Sequence, residues 1–162
     1  FENGGVYNHC NAFKIMADCK LGRAEQSLST LHKMIPDSKD NPVSITGAEP
    51  YLFVNCWCMH PSFFTRIWFG WFTGTSAWAL RGFYEGICGL RREYGGLRVQ
   101  PCIPESWKEL TLTRTFRGCR YHIHIYNTGS GKPEVTVDGN RLADNLLPVL
   151  NDGQVHDVVV RT

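Results

Sequence analysis

Hydrophobic periodicity changes once along this chain, and that change limits what the chain can fold into. As far as residue 94, apolar residues recur at the spacing of helix faces; beyond Gly95-Gly96 they alternate with polar residues. A period near 3.6 lays apolar side chains along one stripe of a helix, whereas a period of two puts them on one face of a strand. A helical part over 1–94 and a strand part over 95–162 are therefore expected, giving an α+β chain of two small domains.

In the first part, Ala12, Phe13, Ile15, Met16 and Cys19 make one apolar stripe, and Gly22 stands where a helix stops. Ala24, Leu28, Leu31 and Ile35 make a second stripe, ended by Pro36. So short a connection predicts an antiparallel helical hairpin. Residues 37–47 are polar, contain Pro42 and read as a surface loop. The apolar run Leu52–Met59 fits a strand or a helix by length. After Gly74 a third helix is expected, with Ala77, Leu80, Tyr84 and Ile87 on one stripe, ending near Gly89.

In the second part, Leu97 and Val99 alternate with Arg98 and Gln100. Leu110, Leu112, Arg114 and Phe116 share a face, as do Tyr121, Ile123 and Ile125. Val135 and Val137 run into Asp138-Gly139, a strong hairpin signal. Val155, Val158 and Val160 close the series. About five short strands of an antiparallel sandwich are expected, with His122 and His124 on its half-buried or solvated face.

Composition excludes several classes of function. The net charge is +2 and the basic residues are scattered, which argues against a nucleic-acid partner. No apolar stretch is long enough for a membrane span, and no basic segment with an apolar run opens the chain as a leader would. The start at Phe1 suggests a piece of a longer protein. Seven cysteines are an odd number without paired spacing, so free, buried thiols in a reducing cytoplasm are expected. Cys56-Trp57-Cys58-Met59-His60 has no second ligand pair of zinc-finger type, and no metal is expected there.

Two stretches carry candidate chemistry. Glu2-Asn3-Gly4-Gly5-Val6-Tyr7-Asn8-His9 sets a carboxylate, amides and an imidazole around a glycine pair that lets backbone come close to a ligand. The alternative is a turn that caps the next helix, with Asn8 as N-cap. Trp71-Phe72-Thr73-Gly74-Thr75-Ser76-Ala77-Trp78 leads hydroxyls into a helix start. Free N–H groups and the positive end of the dipole make such a start an anion site, although plain capping by Thr73 or Thr75 explains the same residues. The aromatics Phe63, Phe64, Trp68, Phe69, Trp71 and Phe72 suit a sugar site or an ordinary core.

Together with Glu49-Pro50-Tyr51, Pro101-Cys102-Ile103-Pro104-Glu105-Ser106-Trp107 and Phe116-Arg117-Gly118, these stretches resemble the C-terminal part of the cellobiose phosphorylase family. This is glycoside hydrolase family 94, the inverting β-glycoside phosphorylases. The motifs stand in family order over nearly the whole chain. The resemblance implies the last helices of an (α/α)6 barrel over 1–94 and a jelly-roll-like antiparallel sandwich over 95–162. It implies that His9, Thr73 and Gly74 bind phosphate, and that Glu2 contacts the acceptor sugar with Phe1 beside it. It also favours a helical barrel element after residue 49, with Glu49 facing the cavity; a solvated loop carboxylate explains Glu49 equally well.

The implied reaction cleaves a β-linked, cellobiose-like disaccharide with inorganic phosphate to an α-sugar 1-phosphate and a free sugar. Phosphate is the co-substrate and no cofactor is needed. The family's catalytic acid is an aspartate upstream of the Glu-Asn-Gly-Gly motif, outside this chain. The chain alone is thus expected to be inactive and to need the missing N-terminal part as its partner. A homodimer of the whole enzyme stays open. Two other readings stand beside this one. An inverting hydrolase would need Glu2 or Glu49 as general base. A non-catalytic carbohydrate-binding sandwich would rest on Trp107 and Tyr126.

Overall fold

The computed structural model describes residues 4–64 and 66–162. The chain divides into two compact units, Phe1–Ile87 and Cys88–Thr162.

The first unit starts with strand β1 (Gly5–Tyr7) and runs straight into helix α1 (Asn8–Lys20). Helix α2 (Ala24–Met34) follows after three residues and packs back on α1. The connecting turn is closed by Arg23 N–H donating to the Asp18 carbonyl at 2.8 Å. Ala12 and Ile15 of α1 and Leu28, Leu31 and Met34 of α2 are buried, as the helical periods predict. Phe13, read as part of the buried stripe, is exposed. Asn8 is not the N-cap. Tyr7 holds that place without a side-chain bond, and Asn8 is fully buried as the first helical residue.

A short helix α3 (Val43–Thr46) interrupts the expected loop. The apolar run that follows forms strand β2 (Cys56–Cys58), not a helix. It pairs with β1 on one side and with β3 (Ile67–Trp68) on the other, both antiparallel, with Trp57 opposite Val6 and Ile67. Sandwiching between two strands decides a run whose length alone was neutral. Ala48, Leu52 and Val54 form a small core beneath Trp57 and Ile67.

Helix α4 (Thr75–Arg81) continues without a break into a π-helical turn over Gly82–Ile87. Its buried face is Thr75, Ala79, Gly82, Gly86 and Ile87, while Ala77 and Leu80 of the expected stripe are exposed. The reason is close packing on α1. A methyl group at Gly82 would lie 3.2 Å from Ile15 Cγ2, and one at Gly86 would lie 3.2 Å from Cys19 Sγ. Glycines make that contact by having no side chain, so a count of apolar residues misses the face. Among the described residues no helix is long and apolar enough to cross a membrane.

The second unit holds eight strands in two sheets, more than the five expected. Strands β4 (Leu90–Arg92), β5 (Gly96–Val99) and β10 (Leu146–Pro148) form an antiparallel sheet in the order β10-β5-β4. The glycine pair Gly95-Gly96 thus stands at a hairpin inside this unit. Strands β6 (Glu109–Phe116), β7 (Cys119–Tyr126), β8 (Glu134–Val137), β9 (Asn140–Arg141) and β11 (Val155–Arg161) form a sheet in the order β6-β7-β11-β8-β9. This sheet is mixed where a purely antiparallel one was expected, because β7 and β11 are parallel. Tyr121, Ile123, Ile125, Val135, Val137, Val158 and Val160 are buried on one face. The Tyr121 hydroxyl donates to the Pro148 carbonyl at 2.7 Å and ties the two sheets together. Asp138 and Gly139 both have positive φ, 48° and 80°, as the two-residue hairpin turn requires. Val155 is exposed, and His156 takes the inward place expected for a valine.

Candidate functional site

Asn8 anchors the start of α1. Its N–H donates to the Asn55 carbonyl at 2.9 Å. Its side-chain amide donates to the Val54 carbonyl, also at 2.9 Å. A buried amide is stable only with such partners, and here they fix the first turn of α1 against residues 54–55. The next residue, His9, is thereby carried to one place. Its ring lies parallel to Phe13, with centroids 6.5 Å apart, and Phe13 meets the edge of Trp78 on α4 at 4.7 Å.

The turn before α4 reaches the same place. A methyl group added to Gly74 would lie 2.6 Å from His9 Nε2, so the imidazole rests directly against this backbone. The Thr73 hydroxyl donates to Asn55 Oδ1 at 3.0 Å and accepts from Thr75 N–H at 3.0 Å. Thr73 has one hydroxyl hydrogen, and Asn55 takes it. The 2.7 Å contact between the Thr73 and Thr75 hydroxyls therefore has Thr75 as donor. Asn55 is the hub: its backbone carbonyl holds Asn8 and its side chain holds Thr73. The first N–H groups of α4 have no intrahelical acceptor and carry the positive end of the dipole. An imidazole beside a helix start can hold an anion of phosphate size by charge-assisted hydrogen bonds.

The structure brings His9, Thr73 and Gly74 together in this way. Glu49 has a different partner, the Trp71 indole N–H, which donates to Glu49 Oε1 at 3.2 Å. Phe1 and Glu2 lie outside the described residues. The aromatics are not core: Tyr51, Phe63, Phe64, Phe69, Trp71 and Phe72 each expose more than half of their surface. Beside Gly4 and Gly5 lies a cavity of about 410 Å³ lined by Trp57, Met59, Phe63 and Trp68. The Trp57 indole N–H is buried with no acceptor among the described residues. Asn55 was missed in the sequence. The signal for it was a lone amide between the buried Val54 and Cys56.

A second polar cluster, also missed, lies in the second unit. His156 Nδ1 is 2.7 Å from Asp138 Oδ2, and Nε2 is 3.2 Å from Asp152 Oδ1. These two hydrogen bonds push the imidazole up to about 9. Asp152 is held down to about 2, first by the Gln154 N–H and then by His156. The buried Cys119 thiol donates to Asp152 Oδ1 at 3.3 Å. No disulfide joins the seven cysteines, but Cys10 is exposed and Cys19 and Cys102 are half-buried, so burial does not hold for the whole set. Burial, followed by the neighbouring Cys58, pushes the Cys56 thiol up.

Comparison with known proteins matches residues 1–89 to the glycosyl hydrolase 94 superfamily, catalytic domain. Residues 90–142 match the glycosyl hydrolase family 65, C-terminal domain. The chain is 37% identical to a solabiose phosphorylase of Paenibacillus borealis, over 99% of this chain and 21% of that protein. It is 34% identical to a 3-O-β-D-glucopyranosyl-β-D-glucuronide phosphorylase of the same organism, again over 99% and 21%. It is 33% identical to a cellobionic acid phosphorylase of Neurospora crassa, over 98% of this chain and 21% of that protein. The chain thus spans about a fifth of the length of these curated relatives.

Proposed function

This chain belongs to glycoside hydrolase family 94, the cellobiose phosphorylase family, and from that premise we propose that it supplies the phosphate-binding side of a disaccharide phosphorylase active site. The observation that carries this reading is the approach of His9 Nε2 to the Gly74 backbone at the start of α4. Phosphate placed there would meet an imidazole and the N–H groups of the first turn of α4 that follow Thr75, whose own N–H is held by Thr73.

In the proposed reaction a phosphate oxygen attacks the anomeric carbon from the face opposite the glycosidic oxygen. The C–O bond to the leaving sugar breaks as the bond to phosphate forms, and an α-sugar 1-phosphate results by inversion. The leaving oxygen takes a proton from a carboxylic acid, which the resemblance places upstream of this chain. An inverting hydrolase needs a second carboxylate to activate water. Phosphate is already anionic, and a carboxylate beside it would repel it. A cradle of donors in place of that second carboxylate is therefore what favours phosphorolysis.

The substrate class proposed is a β-linked disaccharide of cellobiose type, with phosphate as co-substrate and no cofactor. Glu2 and Phe1 would contact the acceptor sugar. A cavity beside Gly4 and Gly5 supports that reading, since its aromatic walls suit a sugar ring. Glu49, held by Trp71, would line the same mouth from an (α/α)6 barrel that the rest of the polypeptide completes. A cytoplasmic setting fits seven cysteines joined by no disulfide.

Steady-state kinetics of the complete enzyme test the cradle. His9→Ala is expected to raise KM for phosphate about tenfold to hundredfold, the worth of one hydrogen bond to a charged group. Thr73→Val should raise it as well, by unfastening the turn from Asn55. KM for the disaccharide should change far less in both variants. Normal phosphate affinity in both would remove His9 and Thr73 from the site.

A further inference from the structure

Cys119, Asp152 and His156 lie in the second compact unit and play no part in the proposed phosphate cradle. Parallel pairing of β7 with β11 sets His156 opposite Tyr121, with Cys119 two residues earlier on the same buried face. The turn ahead of β11 brings Asp152 beside both. One sulfur, one carboxylate oxygen and one imidazole nitrogen all lie within 4.8 Å of one another. The separations to Asp152 Oδ1 are 3.2 Å from His156 Nε2 and 3.3 Å from Cys119 Sγ. Metal–ligand bonds of about 2.0–2.3 Å in a tetrahedral site place neighbouring ligand atoms roughly 3.3–3.8 Å apart, so a small adjustment admits an ion.

The fourth residue of the cluster supports the same reading. His156 Nδ1 is held by Asp138 Oδ2, and Asp138 Oδ1 accepts the Asp157 N–H at 2.9 Å. A carboxylate fixed in this way sets the plane of the ring and leaves Nε2 as the metal-facing nitrogen, the usual support behind a ligating histidine. Cys119 and His156 are buried while Asp152 is exposed, which leaves a way in for the ion and a place for water as fourth ligand.

We propose that Cys119 Sγ, Asp152 and His156 Nε2 bind one divalent transition-metal ion, with Asp138 as the positioning carboxylate. Binding releases the thiol proton and the Nε2 proton to solvent. Mixed thiolate, imidazole and carboxylate donors suit Zn²⁺, whereas Mg²⁺ and Ca²⁺ take oxygen ligands. The ion would cross-link the start of β7 to the turn before β11.

Titration of the metal-free complete enzyme with Co²⁺ reads the site without an activity assay, because a cobalt–thiolate bond gives a charge-transfer band. The band is expected to saturate at one equivalent and to bleach when Zn²⁺ is added. Cys119→Ser should abolish it, whereas Cys56→Ser and Cys58→Ser should retain it. Asp138→Asn should weaken cobalt binding about tenfold to hundredfold. Asp152→Ala, at the surface, tests the site without disturbing the core and should weaken binding at least as much. Absence of the band overturns the proposal, as does a band that survives Cys119→Ser or an affinity unchanged in Asp152→Ala.

Discussion

Gly74→Ala is expected to lower kcat/KM for phosphorolysis by the complete enzyme about a hundredfold or more, with the loss concentrated in phosphate binding. The new methyl group would lie 2.6 Å from His9 Nε2 and 3.3 Å from His9 Cε1, inside contact distance. The ring must move, yet Phe13 lies against it and Trp78 backs Phe13. A displacement of about 1 Å at a positioning group costs on the order of a hundredfold in rate. The backbone at Gly74 has φ −85° and ψ 0°, which alanine adopts readily, so the fold should be unaffected. Thermal unfolding would separate the two effects. An unchanged melting temperature with a raised phosphate KM is the expected pair, and an unchanged phosphate KM would contradict the placement of His9.

Gly89→Ala should have the largest effect on stability. Gly89 has φ +69°, a left-handed conformation that costs an alanine about 1–2 kcal/mol. A methyl group there would also lie 1.9 Å from the Gln100 carbonyl oxygen and 2.1 Å from its carbon. Those atoms are backbone and cannot swing aside. The Gln100 N–H donates to the Gly89 carbonyl at 2.9 Å, so relief of the clash would break that bond. Destabilisation of roughly 4 kcal/mol or more is expected, at the far end of what single substitutions do. Urea unfolding followed by circular dichroism would show it as loss of the strand signal at low denaturant. A midpoint close to that of the unsubstituted chain would mean that the 89–100 contact is not needed.

How much the sequence revealed depends on which atoms made each contact. Side-chain periods revealed α1, α2, β7 and the Asp138-Gly139 turn, because large apolar residues form those faces. They misled at α4, where Gly82 and Gly86 pack on α1 and the π-helical turn shifts the phase. The run 52–59 was neutral by length, and long-range pairing with β1 and β3 makes only Cys56–Cys58 of it a strand. The site divides in the same way. Family motifs singled out His9, Thr73 and Gly74, and the structure brings these three together. Asn55, which holds the two halves together, was one amide in an apolar run. The cluster of Cys119, Asp138, Asp152 and His156 comes from four separate places and needs the parallel pairing of β7 and β11. Alternation within a strand says nothing about the direction of its neighbour.

The most direct measurement is to incubate the complete enzyme with a panel of β-linked disaccharides, with and without inorganic phosphate, and to follow the anomeric protons by NMR. The account predicts an α-sugar 1-phosphate that forms only when phosphate is present, together with one equivalent of free sugar. Sugar released equally without phosphate would mean hydrolysis, and would contradict the assignment of His9, Thr73 and Gly74 as a phosphate cradle.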